Sequence, residues 1–279
     1  MLFVRQELSN MPDKSKNLTI LFFGDIVGKI GRKAIKKILP ELKRKYRPDL
    51  ILANVENLAH GLGVTERTLR EIKEAGVQVF TSGNHIFKKK EVFKILKEKE
   101  IKLLRPANYP LGVPGQGELL LSIKNKNILI INLVGRVFFQ ENFDCPFRTA
   151  LKILKKYKNK KLEAIIVDFH AEATSEKRAL GFFLDGKISA LLGTHSHIQT
   201  ADAQILPQGT AYLTDVGMVG AYPSVIGFKK ENILKIFLTQ LPYPHIIPEK
   251  GRAQVDTLLL EIKKMKVKKI KPFSKIIKI

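Results

Sequence analysis

The 279-residue sequence predicts an α/β fold in which helices cover both faces of a largely parallel sheet. Short apolar runs rich in β-branched and aromatic residues alternate with amphipathic stretches of helical period. Polar residues follow these runs at the points where parallel strands would end. Hydrophobic residues make up 44% of the chain, which is enough for a buried core. Without an internal repeat or a low-complexity linker, one sandwich-like domain is favoured over two.

The first third of the chain contains three predicted strand–helix units. Thr65 stands where a helix N-cap belongs, with Glu66 in the first turn, and Gly76 follows as a C-cap glycine would. Pro40 lies inside the first helical pattern and predicts a kink or a break. The segments, in order, are "LTILFFGD", "RKAIKKILPELKRKY", "DLILANVEN", "TERTLREIKEAG", "VQVFTSGNH" and the helix-like "KKEVFKILKEK".

The rest of the chain opens on a loop, "RPANYPLGVPGQGE", that is rich in proline and glycine. Its "GVPGQG" is a poor candidate for a phosphate-binding loop, because no strand precedes it and no helical pattern follows. Further strands, a helix near residues 229–238 and β-rich runs complete the pattern; the segments are "ELLLSIKN", "KNILIINLVGR", the helix-like "FRTALKILKKYK", "EAIIVDFHAE", "ISALLGTHSH" and "GTAYLTDVGM". We assign residues 1–17 to a polar N-terminal extension and residues 18–279 to a single domain.

The chain is strongly basic, with 49 lysines and arginines against 26 acidic residues and a formal charge of +23. A nucleic-acid-binding groove would explain this charge, but the lysines are spread over helix faces and the C-terminal tail, which favours a solvated surface. The only cysteine, Cys145, can form no internal disulfide, so a reducing compartment such as the cytoplasm is expected. No apolar run approaches the roughly 20 residues that span a bilayer, and no membrane association is expected.

Eight polar residues fall at or just after the ends of predicted strands: Asp25, Glu56, Asn57, Asn84, His85, His170, His195 and His197. Carboxylate and amide oxygens with imidazole nitrogens form a ligand set for manganese, iron or zinc. Each residue alone also fits a turn or a helix cap. Their recurrence at five strand ends favours a metal site. If its strand continued, His195 and His197 would point to the same side about 7 Å apart, which suits one ion or two neighbouring ions.

The motifs "GDIVGKIGR", "ANVENLAHGLG", "TSGNH", "RPANYP", "DFHAEATSEK", "GTHSHIQTAD" and "TDVGM" together resemble the YmdB-like branch of the calcineurin-like metallophosphoesterases. The resemblance runs in collinear order from about residue 19 to about residue 260. It implies a four-layer α/β sandwich with two β-sheets between helical layers. It also implies a two-metal site and phosphodiesterase activity towards cyclic nucleotides, notably 2′,3′-cyclic ones.

The resemblance also implies a role for each polar residue. Glu56 resembles the carboxylate that bridges two ions, most often iron or manganese, with zinc as an alternative. His85 is similar to the catalytic histidine that protonates the leaving group. The remaining ligands divide between the ions, with Asp25, Asn57 and His197 on the first and Asn84, His170 and His195 on the second.

Two departures separate the chain from the wider superfamily. Val27 stands where the superfamily usually has a histidine, and Glu56 stands where it has an aspartate. Both agree with the YmdB-like branch, so substrate expectations stay within it. A water shared by two ions would be the nucleophile.

Several residues keep two interpretations. His60 either touches substrate or anchors its loop, and Asp168, Thr174 and Asp215 either orient ligands or cap turns. His245 matches no motif, and we expect a structural or surface role for it.

Two other functions remain as alternatives to a cyclic-nucleotide phosphodiesterase: a metal-dependent nuclease, and an RNA- or protein-binding module with a non-catalytic metal site. Assembly of several copies is left open.

Overall fold

The computed structural model describes residues 17–98 and 100–279. The predicted extension, residues 1–17, lies outside these ranges apart from Asn17. The strands in the described ranges are β1 Leu18–Phe23, β2 Asp25–Ile26, β3 Leu50–Asn54, β4 Val79–Thr81, β5 Glu118–Ile123, β6 Lys126–Val134, β7 Ala164–His170, β8 Ala190–Thr194, β9 Gln204–Ile205, β10 Ala211–Leu213, β11 Met218–Tyr222, β12 Arg252–Lys263 and β13 Lys266–Lys278. The helices are α1 Gly28–Tyr46, α2 Glu66–Ala75, α3 Val92–Ile95, α4 Pro146–Lys156, α5 Thr174–Phe183 and α6 Lys230–Thr239.

The strands form two sheets. The first has the order β2-β11-β12-β1-β3-β4, with β13 paired to β12, and its β1, β3 and β4 are parallel. The second has the order β5-β6-β7-β8-β10-β9, and its four central strands are parallel. The run "GTAYLTDVGM" is therefore two strands, because β10 belongs to the second sheet and β11 to the first.

Three apolar clusters lie between four layers. In β1, Leu21 and Phe23 pack against the helices α1 and α2, whereas Ile20 and Phe22 face the second sheet. A third cluster lies between the second sheet and the helices α4 and α5. Since alternate residues of each strand point to opposite faces, each sheet is covered on both sides. The predicted α/β sandwich of two sheets between helical layers is thus confirmed.

The helix boundaries agree with the sequence in part. The side chains of Thr65 and Thr68 form a capping box at the start of α2, and Gly76 ends the helix at φ 112°. A break at Pro40 is wrong, because α1 continues through it. Pro40 and Lys36 both lie on the exposed face, where water can satisfy the carbonyl that proline leaves without a donor.

The helix expected in "KKEVFKILKEK" is reduced to the four residues of α3, after a 3₁₀ turn at Ile86–Lys88. Within α3 only Val92 and Ile95 are buried, and a short helix depends on such burial for its stability. In the described part of the chain, no helix combines the length and apolar character that crossing a bilayer requires.

Candidate active site

The eight polar residues predicted from the sequence lie at the carboxyl ends of strands from both sheets. Asp25 opens β2, and the pairs Glu56/Asn57 and Asn84/His85 follow β3 and β4. His170 ends β7, and the His195/His197 pair follows β8. The two sheets therefore face each other with their polar ends together, as expected for parallel strands.

Glu56, His170 and His195 form a compact donor cluster. Glu56 Oε1 lies 2.9 Å from His170 Nε2, and that nitrogen lies 2.9 Å from His195 Nδ1. One donor atom from each residue falls within 4.8 Å of the others, which suits a single metal ion. Glu56 and His170 are almost completely buried, so these groups are held away from solvent.

Asp25, Asn57 and His197 form a second group beside the first. The Asn57 amide nitrogen lies 3.0 Å from His197 Nε2 and 3.4 Å from Asp25 Oδ1. His197 Nδ1 donates to the carbonyl of Ile226 at 2.8 Å, so its Nε2 carries the lone pair that faces this group. Asp25 Oδ1 is also 3.9 Å from the His170 ring, which brings the two groups together.

Asn84 has a buried side-chain oxygen, Oδ1, without a hydrogen-bond partner. A buried carbonyl oxygen without a partner costs about 1–3 kcal/mol, so such an atom calls for an explanation. Tyr109 fixes this residue from the other side by donating its hydroxyl to the Asn84 backbone carbonyl at 3.3 Å. An oxygen presented in this way fits a metal ligand, as do the carboxylate and imidazole donors around it.

The segment 195–197 does not continue strand β8, so the predicted same-side arrangement of its histidines is wrong. His195 and His197 have φ values of 104° and 64°, which end the strand and turn the two rings into different groups. His195 is fixed at both ends: its backbone N–H donates to Asp25 Oδ2 at 3.1 Å, and its Nε2 lies 2.6 Å from Glu172 Oε2. A bond from the Nε2–H to the carboxylate leaves Nδ1 with the lone pair, and this nitrogen faces His170.

His85 lies at the rim of the site. Its backbone N–H donates to Glu56 Oε2 at 3.2 Å, and its Nδ1 is 3.3 Å from both Glu56 Oε1 and the Asn57 side-chain oxygen. Its side chain is 26% exposed, in contrast to the nearly buried His170 and His197. This histidine can therefore meet a ligand that arrives from solvent.

A buried polar network supports the site from below. His170 Nδ1 lies 2.9 Å from the Thr194 hydroxyl, which donates to Asp168 Oδ1 at 2.8 Å. Asp168 also accepts hydrogen bonds from Asn54 and Thr81 of the first sheet. Burial raises the pKa of Asp168 to about 7, although these donors oppose the shift. The network joins the two sheets directly beneath His170.

The pKa values within the site are set by burial and by mutual charge. Burial, the largest single cause, raises the pKa of Glu56, but His170, His85 and His195 together outweigh it and lower the value to about 2. Burial, again the largest single cause, lowers the pKa of His170, but Glu56, Asp25 and Asp168 together outweigh it and raise the value to about 9. Burial and the neighbouring His170 lower the pKa of His195 to about 4, and burial raises that of Asp25. Bound cations would take the place of the proton on His170.

Aromatic rings form a wall along one side of the site. Phe139 stands edge-on to His195 with 5.2 Å between ring centroids, and the contacts continue through Phe143 to Tyr109. This wall therefore runs from the histidine after β8 to the residue that holds Asn84. Aromatic surface beside charged groups suits a ligand with a ring and an anionic group.

The other residues named from the sequence have mostly structural positions. His60 is exposed, Thr174 is the first residue of α5, and His245 packs edge-on against Phe228, as expected for a structural residue. Asp168 does orient a predicted ligand, through Thr194. Sequence analysis missed Asn54, Thr81, Thr194 and Glu172. The first three lie on strands, where the alternation of polar and apolar residues was the signal that could have found them. Glu172 lies two residues after His170 and carried no such signal.

Comparison with known proteins agrees with this architecture. The YmdB-like protein family model matches residues 21–273. The 2′,3′-cyclic-nucleotide 2′-phosphodiesterase of Bacillus subtilis strain 168 is 43% identical over 254 residues, covering 91% of this chain and 95% of that protein. The crystal structure of a hypothetical protein from Thermus thermophilus has a TM-score of 0.86 at 40% identity, over 92% of this chain and 99% of that one.

A second solved structure, of a novel phosphatase from Mycoplasma pneumoniae, has a TM-score of 0.86 at 35% identity, over 93% of this chain and 94% of that one. Two sheets between helical layers, with carboxylate, amide and imidazole side chains gathered where the strands end, fit the class of metallophosphoesterases. The chain belongs to the YmdB-like family. The resemblance inferred from its motifs is thus confirmed.

Proposed function

We propose that the protein is a dinuclear metal-dependent phosphodiesterase that hydrolyses cyclic nucleotides, 2′,3′-cyclic ones above all. The observation that carries this proposal is the pair of donor groups that meet beside Glu56. In the proposed assignment Asp25, Asn57 and His197 hold one ion, Asn84, His170 and His195 hold the other, and Glu56 contacts both. A carboxylate suits the shared position because its two oxygens can each bind one cation.

Iron or manganese fits the mixed oxygen and nitrogen donors best, and zinc is the alternative. When bound, two such ions supply an activated water and neutralise charge on the phosphate. The chain's own residues supply the rest. Asn84 and Asn57 would add ligand oxygens without adding negative charge, Asn57 after a half-turn of the amide that now points its nitrogen at Asp25 and His197. The site would then repel an anionic phosphodiester less than an all-carboxylate site would.

His85 is the proposed proton donor to the leaving ribose oxygen. Its Nδ1 faces Glu56 and Asn57, so its Nε2 lies on the opposite side of the ring, towards the rim. A donor at this position protonates the oxygen as the bond to phosphorus breaks, which avoids release of an alkoxide.

The substrate class rests on two supports. The Bacillus subtilis relative is a 2′,3′-cyclic-nucleotide 2′-phosphodiesterase, and the aromatic wall from Phe139 to Tyr109 offers apolar surface beside the donor groups for a nucleobase. Cleavage of the bond to the 2′ oxygen would leave a nucleoside 3′-phosphate.

The experiment that tests this function is hydrolysis of 2′,3′-cyclic AMP by purified protein with manganese, iron or zinc, with bound metal counted in the same samples. We expect two ions per chain and a nucleoside 3′-phosphate product. The His85→Ala variant should keep both ions while turnover falls by about 10²–10⁴-fold, the usual contribution of a positioned acid. His245→Ala, outside the site, is the matched control and should turn over normally.

Three results would contradict parts of the proposal. Absence of turnover with all three metals overturns the catalytic function, and loss of metal in His85→Ala makes that residue a ligand instead of an acid. RNA that is cleaved in preference to the cyclic nucleotide would identify a nuclease. A parallel assay with 3′,5′-cyclic AMP measures how strictly the site selects the 2′,3′ ring.

A further inference from the structure

The segment that carries two of the proposed ligands is strained. His195 and His197 both have positive φ values, 104° and 64°, a region that non-glycine residues adopt at a cost of order 1–3 kcal/mol each. A backbone in such a conformation persists only where surrounding contacts hold it. Between the two histidines lies Ser196, and the contact of its backbone N–H shows what holds the segment.

That N–H donates to Asp215, the aspartate of the "TDVGM" segment. Ser196 N lies 3.0 Å from Asp215 Oδ2, and Gly217 N lies 2.8 Å from Oδ1. The Asp215 backbone is itself fixed, since its N–H donates to the Thr200 hydroxyl at 2.9 Å and its carbonyl accepts from Thr200 N at 3.1 Å. Both carboxylate oxygens therefore hold backbone, one of them at the centre of the strained segment.

Lys177 neutralises this carboxylate inside the protein. Its Nζ lies 2.8 Å from Asp215 Oδ2, and the two side chains are 1% and 0% exposed. Gly193 allows this arrangement, because a Cβ there would meet the Thr214 carbonyl oxygen and would lie 3.1 Å from Lys177 Cδ. An ion pair buried this deeply is costly to form and costly to break on one side only, so it needs a compensating role.

We infer that Lys177 and Asp215 are positioning residues that hold His195 and His197 in the geometry required to bind two metal ions. The inference rests on the proposed function for the roles of the two histidines. Lys177 sits on α5, which follows the His170 strand, so the pair also connects the segment after β8 to the element after β7. Neither residue touches the donor atoms, and both act through the backbone of Ser196.

The chain contains a matched control at the opposite end of the sheets. Asp49 accepts a hydrogen bond from Thr19 N at 2.9 Å and forms an ion pair with Lys124 at 2.7 Å, so like Asp215 it binds a backbone N–H and a lysine, although Asp215 accepts a second backbone N–H. This second pair joins the starts of β1 and β3 and lies far from the ligand segment. It differs from the buried Lys177–Asp215 pair in its exposure to solvent: 14% of the Asp49 side chain and 67% of the Lys124 side chain are exposed.

The test replaces both members of the pair, because a single substitution would leave one charge buried alone. The double variant Lys177→Met/Asp215→Leu removes both charges and replaces them with apolar side chains, a kind of exchange that preserves folding in other proteins. We expect a metal-free protein that folds, with manganese affinity at least about tenfold weaker, in the range seen when supporting residues of metal ligands are removed. Lys124→Met/Asp49→Leu should retain the wild-type manganese affinity.

Calorimetric titration with manganese alone gives the readout, with thermal unfolding of the metal-free proteins in parallel. Wild-type manganese affinity in the Lys177→Met/Asp215→Leu variant would overturn the inference, and so would an equal loss in the control. Because the experiment measures metal binding and not turnover, the positioning role of Lys177 and Asp215 and the phosphodiesterase function can be refuted independently. A wild-type protein that binds two ions without hydrolysing any ester, beside a variant that binds them poorly, would overturn only the phosphodiesterase function.

Discussion

The layer between the two sheets has an apolar half and a polar half, although the same strands build both. At the amino ends it contains side chains such as Leu50, Ile128 and Ala190. At the carboxyl ends the same faces carry polar groups: Asn54, Thr81, Ser82, Asn132, Asp168 and Thr194, all nearly or completely buried. In β3, for example, residues 50, 52 and 54 lie on one face as leucine, leucine and asparagine.

The two halves of the layer fix their side chains in different ways, and the donor groups lie in the half that fixes distances. The apolar half is stabilised by burial alone, which is non-directional and leaves side chains few geometric constraints. The polar half must satisfy each buried donor and acceptor, so its hydrogen bonds fix distances between the sheets. Asp168 shows this best, because it accepts bonds from Asn54 and Thr81 of one sheet and from Thr194 of the other.

The largest effect that separates the halves is expected from His195→Ala compared with Ile130→Ala. The first variant removes a donor of the proposed second ion, so we expect one ion fewer per chain and a loss of turnover of about 10³-fold or more. The second removes buried apolar volume and should lower the free energy of unfolding by about 2–5 kcal/mol while both ions bind. Metal analysis and urea unfolding measure the two effects, and retention of two ions by His195→Ala would refute its ligand role.

Much of the fold could be predicted from the sequence. Its strands are apolar runs rich in β-branched and aromatic residues, and the ends of helix α2 are marked by the capping residues Thr65 and Gly76. The family motifs also identified the residues that converge at the strand ends. Helix α5 was missed because its start, within "DFHAEATSEK", was treated as part of a site motif. The helix expected after His85 was overestimated, since a repeating pattern of lysines and apolar residues does not reveal how few of them become buried.

Apart from Asp168, which the sequence left with two interpretations, the supporting residues could not be predicted, because their role depends on pairing between strands and between sheets. Thr194 and Asp168 are adjacent only when β7 and β8 are in register, as the pairing of Asp168 with Leu192 and of His170 with Thr194 shows. The turn at His195 was also beyond sequence reasoning, since positive φ is uncommon for every residue except glycine, including histidine, which is enriched there only relative to other side chains. Alternation within each strand was the available signal, because it placed Asn54 and Asp168 on faces that otherwise carry apolar residues.

The next effect concerns pH and the buried carboxyl of Asp168. Burial raises its pKa from 3.8 to about 7, so between these values the unfolded chain has released the proton and the folded protein has kept it. The stability of the metal-free wild type relative to Asp168→Asn should therefore fall as pH rises from about 4 to about 7, and level off above. Urea unfolding in the presence of a chelator at several pH values measures this difference. Parallel stability curves would mean that the carboxyl is ionised throughout, and that its hydrogen bonds outweigh its burial.

The smallest effect is expected from Thr194→Val, which keeps the shape of a buried side chain and removes one hydroxyl. That hydroxyl connects His170 Nδ1 to Asp168, so its loss frees the ring to rotate, and we expect metal affinity to fall about 10–100-fold. Thr210→Val is the matched control, since Thr210 is equally buried and its hydroxyl donates to the Ile188 carbonyl away from the site. Both variants lose hydrogen bonds and some stability, but only the first should weaken manganese binding. Equal affinities in the two variants would mean that Glu56 and His195 alone orient His170, and that the polar half of the layer serves folding and not the metal centre.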